Sequence, residues 1–217
     1  MKLRNWLVGC SICLIFGFMA TSVHAQGLYG GSPYLSVHVG ATWLDDADND
    51  FKGFPLTFKS EYDTGYTVGA AAGYDFNMWR AEFEIAYRQN DVDKIKIPGE
   101  TFNGGGDTSA LSFMVNGYFD IHNQSAFTPY LGAGIGLARV SANDWKAEGE
   151  KIVDDSDTVF AYQLGAGVGW EFMPNLTLDL GYRYFATADP EFRDVDGDKF
   201  ESEYKSHNLM LGLRIGF

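Results

Sequence analysis

The final ten residues alternate on a two-residue beat. Asn208, Met210, Gly212, Arg214 and Gly216 fall on one side, and Leu209, Leu211, Leu213, Ile215 and Phe217 on the other. An unbroken apolar row beside a row that carries an arginine suits a strand with lipid on one face and a narrow polar lumen on the other. Seven earlier segments repeat the arrangement. Residues 35–43 set Leu35, Val37, Val39, Ala41 and Trp43 against Ser36, His38, Gly40 and Thr42. Residues 64–74 set Tyr66, Val68, Ala70, Ala72 and Tyr74 against Thr67, Gly69, Ala71 and Gly73. The third is the sharpest: Trp79, Ala81, Phe83, Ile85 and Tyr87 oppose Arg80, Glu82, Glu84, Ala86 and Arg88. Four charges facing one way from a strand whose other face is wholly apolar demand a polar interior or water.

The fourth segment turns Ser112, Met114, Asn116 and Tyr118 inward, and the fifth Tyr130, Gly132, Gly134 and Gly136. The sixth turns in Gln163, Gly165, Gly167, Gly169 and Glu171, and the seventh Thr177, Asp179, Gly181, Arg183 and Phe185. Strands of roughly 9–11 residues match a tilted crossing of the hydrocarbon layer. An open sheet there would leave unpaired backbone groups in lipid, so the sheet is expected to close. Residues 75–78, 120–126 and 172–175 read as short turns; residues 45–63, 89–107, 141–157 and 187–205 read as long loops, in strict alternation. The expected fold is all-β, an eight-stranded antiparallel transmembrane β-barrel with short periplasmic turns and four long extracellular loops. A soluble ligand-binding barrel is the rival. It is disfavoured because its outer surface would be built from glycine-rich rows.

Residues 1–25 are expected to be an export signal: Lys2 and Arg4 open it, an apolar stretch follows, and Val23-His24-Ala25 offers a small-residue cleavage site. The barrel domain then spans residues 26–217. Leu7-Val8-Gly9-Cys10 has the look of a lipid-attachment box, but apolar residues continue past it, which argues against cleavage there. Cys10 and Cys13 both lie in the signal, so the mature chain has neither disulfide nor thiolate ligand. Beyond the signal no run reaches the length of a membrane helix, and the 46% hydrophobic content is dispersed in alternation.

Inside the barrel, Arg80, Arg88, Arg183 and Arg214 are expected to meet Glu82, Glu84, Glu171 and Asp179, because a buried charge must be paired or hydrated. This network either packs the lumen or lines a narrow gated ion path. The four long connections hold 23 acidic and 9 basic residues, which accounts for the net charge of −13. Nucleic acid is therefore disfavoured as a partner; the charge suits a plain solvated, repulsive surface and leaves room for a cationic or host surface ligand. Phe51, Phe54, Trp145, Phe192 and Phe200 lie among those acids and read as recognition residues. Asp194-Val195-Asp196-Gly197-Asp198 with Glu201 resembles part of a calcium loop, but its glycine stands at the fourth place and not the sixth. No cofactor or metal is expected. No enzyme is expected either, since Ser206 alternates to the face opposite His207.

Ser112-Phe113-Met114-Val115-Asn116-Gly117-Tyr118-Phe119-Asp120, Thr128-Pro129-Tyr130-Leu131-Gly132-Ala133-Gly134-Ile135-Gly136 and Leu211-Gly212-Leu213-Arg214-Ile215-Gly216-Phe217 resemble the outer-membrane β-barrel family of opacity-like surface antigens and small porin-like proteins. That family is related in fold to the membrane domain of outer-membrane protein A. The resemblance implies a location in the outer membrane of a Gram-negative bacterium, among lipid and lipopolysaccharide, as a monomer. It also implies that the barrel-assembly machinery reads Phe217 as the terminal aromatic. Three roles follow as expectations: an envelope-structural, surface-exposed protein, a narrow porin-like channel, or an adhesin that recognises host surfaces.

Overall fold

The computed structural model describes residues 31–51, 57–97, 99–195 and 197–217. The expected export signal therefore lies outside the described residues, as do Phe54 and Asp196. Twelve strands follow in order: β1 (Ser32–Leu44), β2 (Ala47–Phe51), β3 (Thr57–Tyr62), β4 (Gly65–Asp75), β5 (Trp79–Ile97), β6 (Glu100–Asp120), β7 (Phe127–Ala147), β8 (Glu150–Met173), β9 (Leu176–Thr187), β10 (Glu191–Arg193), β11 (Lys199–Ser202) and β12 (Lys205–Gly216).

Eight of them make the expected ring, β1-β4-β5-β6-β7-β8-β9-β12, every pair antiparallel. The ring closes where β12 pairs back onto β1, from Tyr34↔Gly216 to Leu44↔Ser206. Leu35, Val37, Val39, Ile135, Leu164 and Leu211 are exposed on its outside, as a lipid-facing row requires. On the periplasmic side the turns are short. Asn77 (φ 80°) and Asn175 (φ 66°) take the left-handed conformation that asparagine tolerates better than most residues.

The four long connections, expected as loops, are mostly strand. β5 to β8 run on beyond the lipid-facing region as two long hairpins, β5–β6 and β7–β8. The others are extended by β2, β3, β10 and β11, with β2–β3 and β10–β11 paired as hairpins. Neighbouring hairpins join through β3–β5, β6–β7 and β11–β2. The last seam, between β8 and β10, carries the isolated bridge Val153↔Asp194. It is completed by the Asp157 and Asp155 carboxylates, which accept the backbone N–H groups of Glu191 and Arg193 at 3.0 Å each. The barrel thus continues outward as a β-walled extension.

This extension hides from a loop-seeking eye because its alternation is inverted. Above the membrane, water lies outside the wall, so polar side chains face out and apolar ones face in. On β3, Phe58 and Ser60 are buried while Lys59 points to solvent. Register shifts between Asp91 and Lys94 and between Ala142 and Trp145 re-aim Ile95 and Trp145 into the interior. Phe51, Phe58, Phe192 and Phe200 pack there with ring centroids 5.4–5.8 Å apart. The Trp145 indole donates to the carbonyl of Asp107 at 3.1 Å. Trp145, Phe192 and Phe200, expected as surface recognition residues, are instead the core of the extension, and Phe51 is packed against it. Fully buried aromatics of this kind cost about 3–5 kcal/mol to truncate. Phe200→Ala is expected to make the extension protease-sensitive in detergent micelles while the lipid-facing barrel stays resistant. Unchanged cleavage of the extension would contradict the packing described.

Candidate functional site

Two features of the molecule present chemistry: the enclosed lumen and the acidic outer wall. The lumen is polar because it lies within a ring whose apolar row has been turned to lipid. It is narrow because eight strands leave room for little beyond side chains. Glycines on β7 and β8 make that room; a Cβ at Gly132 would overlap the Tyr118 ring.

At the periplasmic end, Arg80 forms a bidentate pair with Asp120, Nε to Oδ2 at 2.7 Å and Nη2 to Oδ1 at 2.8 Å. The same guanidinium lies 4.7 Å from the Tyr118 ring centre and 5.0 Å from that of Tyr130. Arg214 approaches Asp179 at 3.4 Å. One level further in, Glu82 accepts from three neutral donors, Tyr34 at 3.0 Å, Asn116 at 3.1 Å and Tyr118 at 2.8 Å. Arg183 then holds both oxygens of Glu84, at 2.8 and 2.6 Å. Arg80, Glu82, Glu84, Asp179, Arg183 and Arg214 line, with His38, a small cavity of about 50 Å³. Toward the outside the lumen closes on Met114, Phe185 and Met210, all buried.

In the structure Arg80, Glu82, Glu84, Arg88, Asp179, Arg183 and Arg214 point into the lumen, and Glu171 does not join them. Glu171 keeps the inward parity, opposite Thr177, but stands exposed at the periplasmic rim of β8, one residue beyond the last β7 pairing, and has no place in the enclosed network. The fourth lumen carboxylate is Asp120, which ends β6 and pairs with Arg80, whereas the sequence pattern assigns it to the start of a turn. Carrying the parity of Asn116 and Tyr118 two residues further would have found it. Tyr34, one residue before the expected first strand, shares the parity of Ser36 and lies in β1.

On the outer wall, Glu191 stands opposite Glu201, and Glu201 opposite Asp50, so three carboxylates lie side by side on β10, β11 and β2. Lys199 pairs with Glu191 at 2.6 Å. Nearby Asp189 has its carboxyl pushed above the ordinary range, first by partial desolvation and then by Glu203 and Glu201. In the stretch that resembled a calcium loop, the Asp194 carboxylate accepts the backbone N–H of Asp198 at 2.9 Å. Among the described residues no group of three or more His, Cys, Asp or Glu is placed to hold a metal. Ser206 is buried toward the lumen, whereas His207 faces outward, its Nδ1 2.5 Å from the Tyr182 hydroxyl and its Nε2 3.3 Å from Asp45. Phe217 is exposed at the periplasmic end, its N–H donating to the Pro33 carbonyl at 3.0 Å.

The lumen geometry makes one substitution decisive. Arg80→Leu is expected to strand the buried Asp120 carboxylate and to lower unfolding stability in detergent by about 3–5 kcal/mol. Adding Asp120→Asn should restore much of that loss. An unchanged unfolding midpoint in the single variant would show that water satisfies the carboxylate.

Residues 11–217 match the family described as outer membrane protein beta-barrel domain. The outer membrane protein PagN of Salmonella typhimurium is 26% identical over 246 residues, covering 99% of this chain and all of PagN. A candidate adhesin of Rickettsia conorii is 29% identical over 201 residues, covering 84% of this chain and 81% of its own length. Among solved structures, the outer membrane protein OprG of Pseudomonas aeruginosa superposes with a TM-score of 0.63 at 14% identity, over 85% of this chain and 96% of OprG, a likeness of fold. The chain accordingly belongs to the outer membrane protein beta-barrel domain family and is an integral protein of a Gram-negative outer membrane.

Proposed function

We propose that this protein is a non-catalytic, non-conducting monomer that reinforces the outer membrane and carries an acidic, β-walled extension above it. The observation behind this reading is the filled axis. An ion moving outward from the periplasm leaves the paired charges of the lumen, meets Met114, Phe185 and Met210, and then meets the aromatic core of the extension. Stripping water from an ion at such apolar tiers is costly. A narrow porin-like path has no comparable support. In planar bilayers the purified protein is expected to give no steady conductance; reproducible open channels would overturn the closed-lumen reading.

A second reading, adhesion, is favoured by the relative named as a candidate adhesin and by the in-register carboxylates. An outer wall with this excess of acidic groups is complementary to a basic partner surface. The contact surface in this reading is the outer wall, since Trp145, Phe192 and Phe200 are buried. The triple change Asp50→Asn, Glu191→Gln and Glu201→Gln is expected to leave the barrel folded and to weaken attachment of expressing cells to host cells at low salt. Full attachment by the triple variant would remove the acidic wall from any role in adhesion.

A further inference from the structure

The chain holds two Asn-Gly pairs, Asn103-Gly104 and Asn116-Gly117, and the fold treats them in opposite ways. In such a pair the next backbone nitrogen reaches the side-chain amide carbon with least obstruction, because glycine carries no Cβ. Asn116 is buried in the lumen, where its Nδ2 donates to Glu82 at 3.1 Å and its Oδ1 accepts from Gln163 at 2.6 Å. Gly117 stands in unbroken register between Ala81 and Ala133. Neither the amide nor the backbone can turn there unless the barrel opens. Asn103 is exposed near the tip of the β5–β6 hairpin, and its side-chain amide makes no hydrogen bond among the described residues. Gly104 opposes no β5 residue in register, since the pairing jumps from Lys94↔Asn103 to Asp91↔Asp107. On the other side the β6–β7 register shifts between Gly105 and Asp107, with Gly106 at φ 89°. The backbone that follows Asn103 is therefore irregular along both neighbours.

We propose that Asn103 is a site of spontaneous covalent modification, converting to aspartate and isoaspartate through a cyclic imide, while Asn116 is preserved. The Gly104 backbone nitrogen gives up its proton to base and forms a bond to Asn103 Cγ. The Cγ–Nδ2 bond breaks, and the amide nitrogen takes a proton from water and leaves as ammonia. Water then adds to one of the two imide carbonyl carbons. Opening at Cγ yields aspartate; opening at the main-chain carbon yields isoaspartate, whose backbone runs through the side chain. In sum, one amide and one water become one carboxylate and one ammonium. The place where this happens ties two hairpins together: the Asn103 N–H donates to Glu148 Oε1, and the Asn103 carbonyl accepts the Glu148 N–H, each at 3.2 Å. Either product sets a new carboxylate beside that of Glu148, where like charges repel. Isoaspartate also lengthens the main chain at the tie. The contact between the β5–β6 and β7–β8 hairpins is thus what the modification releases.

The test is ageing of the folded protein in detergent micelles in mildly alkaline buffer, read by peptide mass spectrometry and by isoaspartyl methyltransferase labelling. The peptide holding Asn103 should progressively gain the mass of amide-to-acid conversion, while the peptide holding Asn116 stays amidated. In the urea-unfolded chain both should convert at similar rates. Asn103→Gln should abolish methyltransferase labelling of this hairpin in the folded protein. Asn103→Asp, which carries the charge of the product, should raise tryptic cleavage after Lys146 and Lys151 on the facing hairpin severalfold. Adding Glu148→Gln should reverse that rise. The proposal is overturned if Asn103 stays amidated in the folded protein while the unfolded chain converts, or if both asparagines convert equally fast in the folded state. Unchanged tryptic cleavage in Asn103→Asp would overturn the release of the hairpin contact.

Discussion

Hydrocarbon cannot hydrogen-bond a peptide group, and the rest of the structure depends on that constraint. It forces β12 back onto β1, so that no strand edge faces lipid. Closure by eight strands sets a lumen of side-chain width, and that width brings Arg80 to Asp120 and Arg183 to Glu84. The charges inside are thus a consequence of the ring. With the apolar row assigned to lipid, polar side chains are left to fill the interior, and they persist there only by satisfying one another.

The satisfaction is uneven, which gives the lumen its character. Near the periplasm Arg80 and Arg214 each have a carboxylate, and Glu82 is held by three hydrogen bonds from uncharged donors. Farther out, apolar groups interrupt the network, and Arg88 rests on the face of Phe185. Buried ion pairs are weak contributors to net stability but costly to break. The network therefore acts more as a selector of one lumen packing than as a source of stability.

Above the membrane the same strands continue with water outside, and the apolar side of the wall moves from exterior to interior. The extension consequently has what the membrane barrel lacks, a conventional hydrophobic core, built from Phe58, Trp145, Phe192 and Phe200. Acidic residues are displaced to the outer wall. Their concentration there follows from the inversion, and so does the burial of Trp145, Phe192 and Phe200.

The strict beat of residues 35–43, 79–88 and 208–217 determined the strand number, the lipid-facing row and seven of the eight lumen charges that were named, because a two-residue period needs no tertiary information to be read. It could not follow the chain past a register shift. Ile95 and Trp145 follow such shifts, where one extra residue exchanges the faces, and only strand pairing reveals it. Nor could alternation tell an acidic loop from an acidic-faced strand, since both show the same composition until a partner strand supplies hydrogen bonds. The partners of the charges were likewise decided in three dimensions: Arg80 chose Asp120, forty residues away, because neighbouring antiparallel strands bring their far ends together.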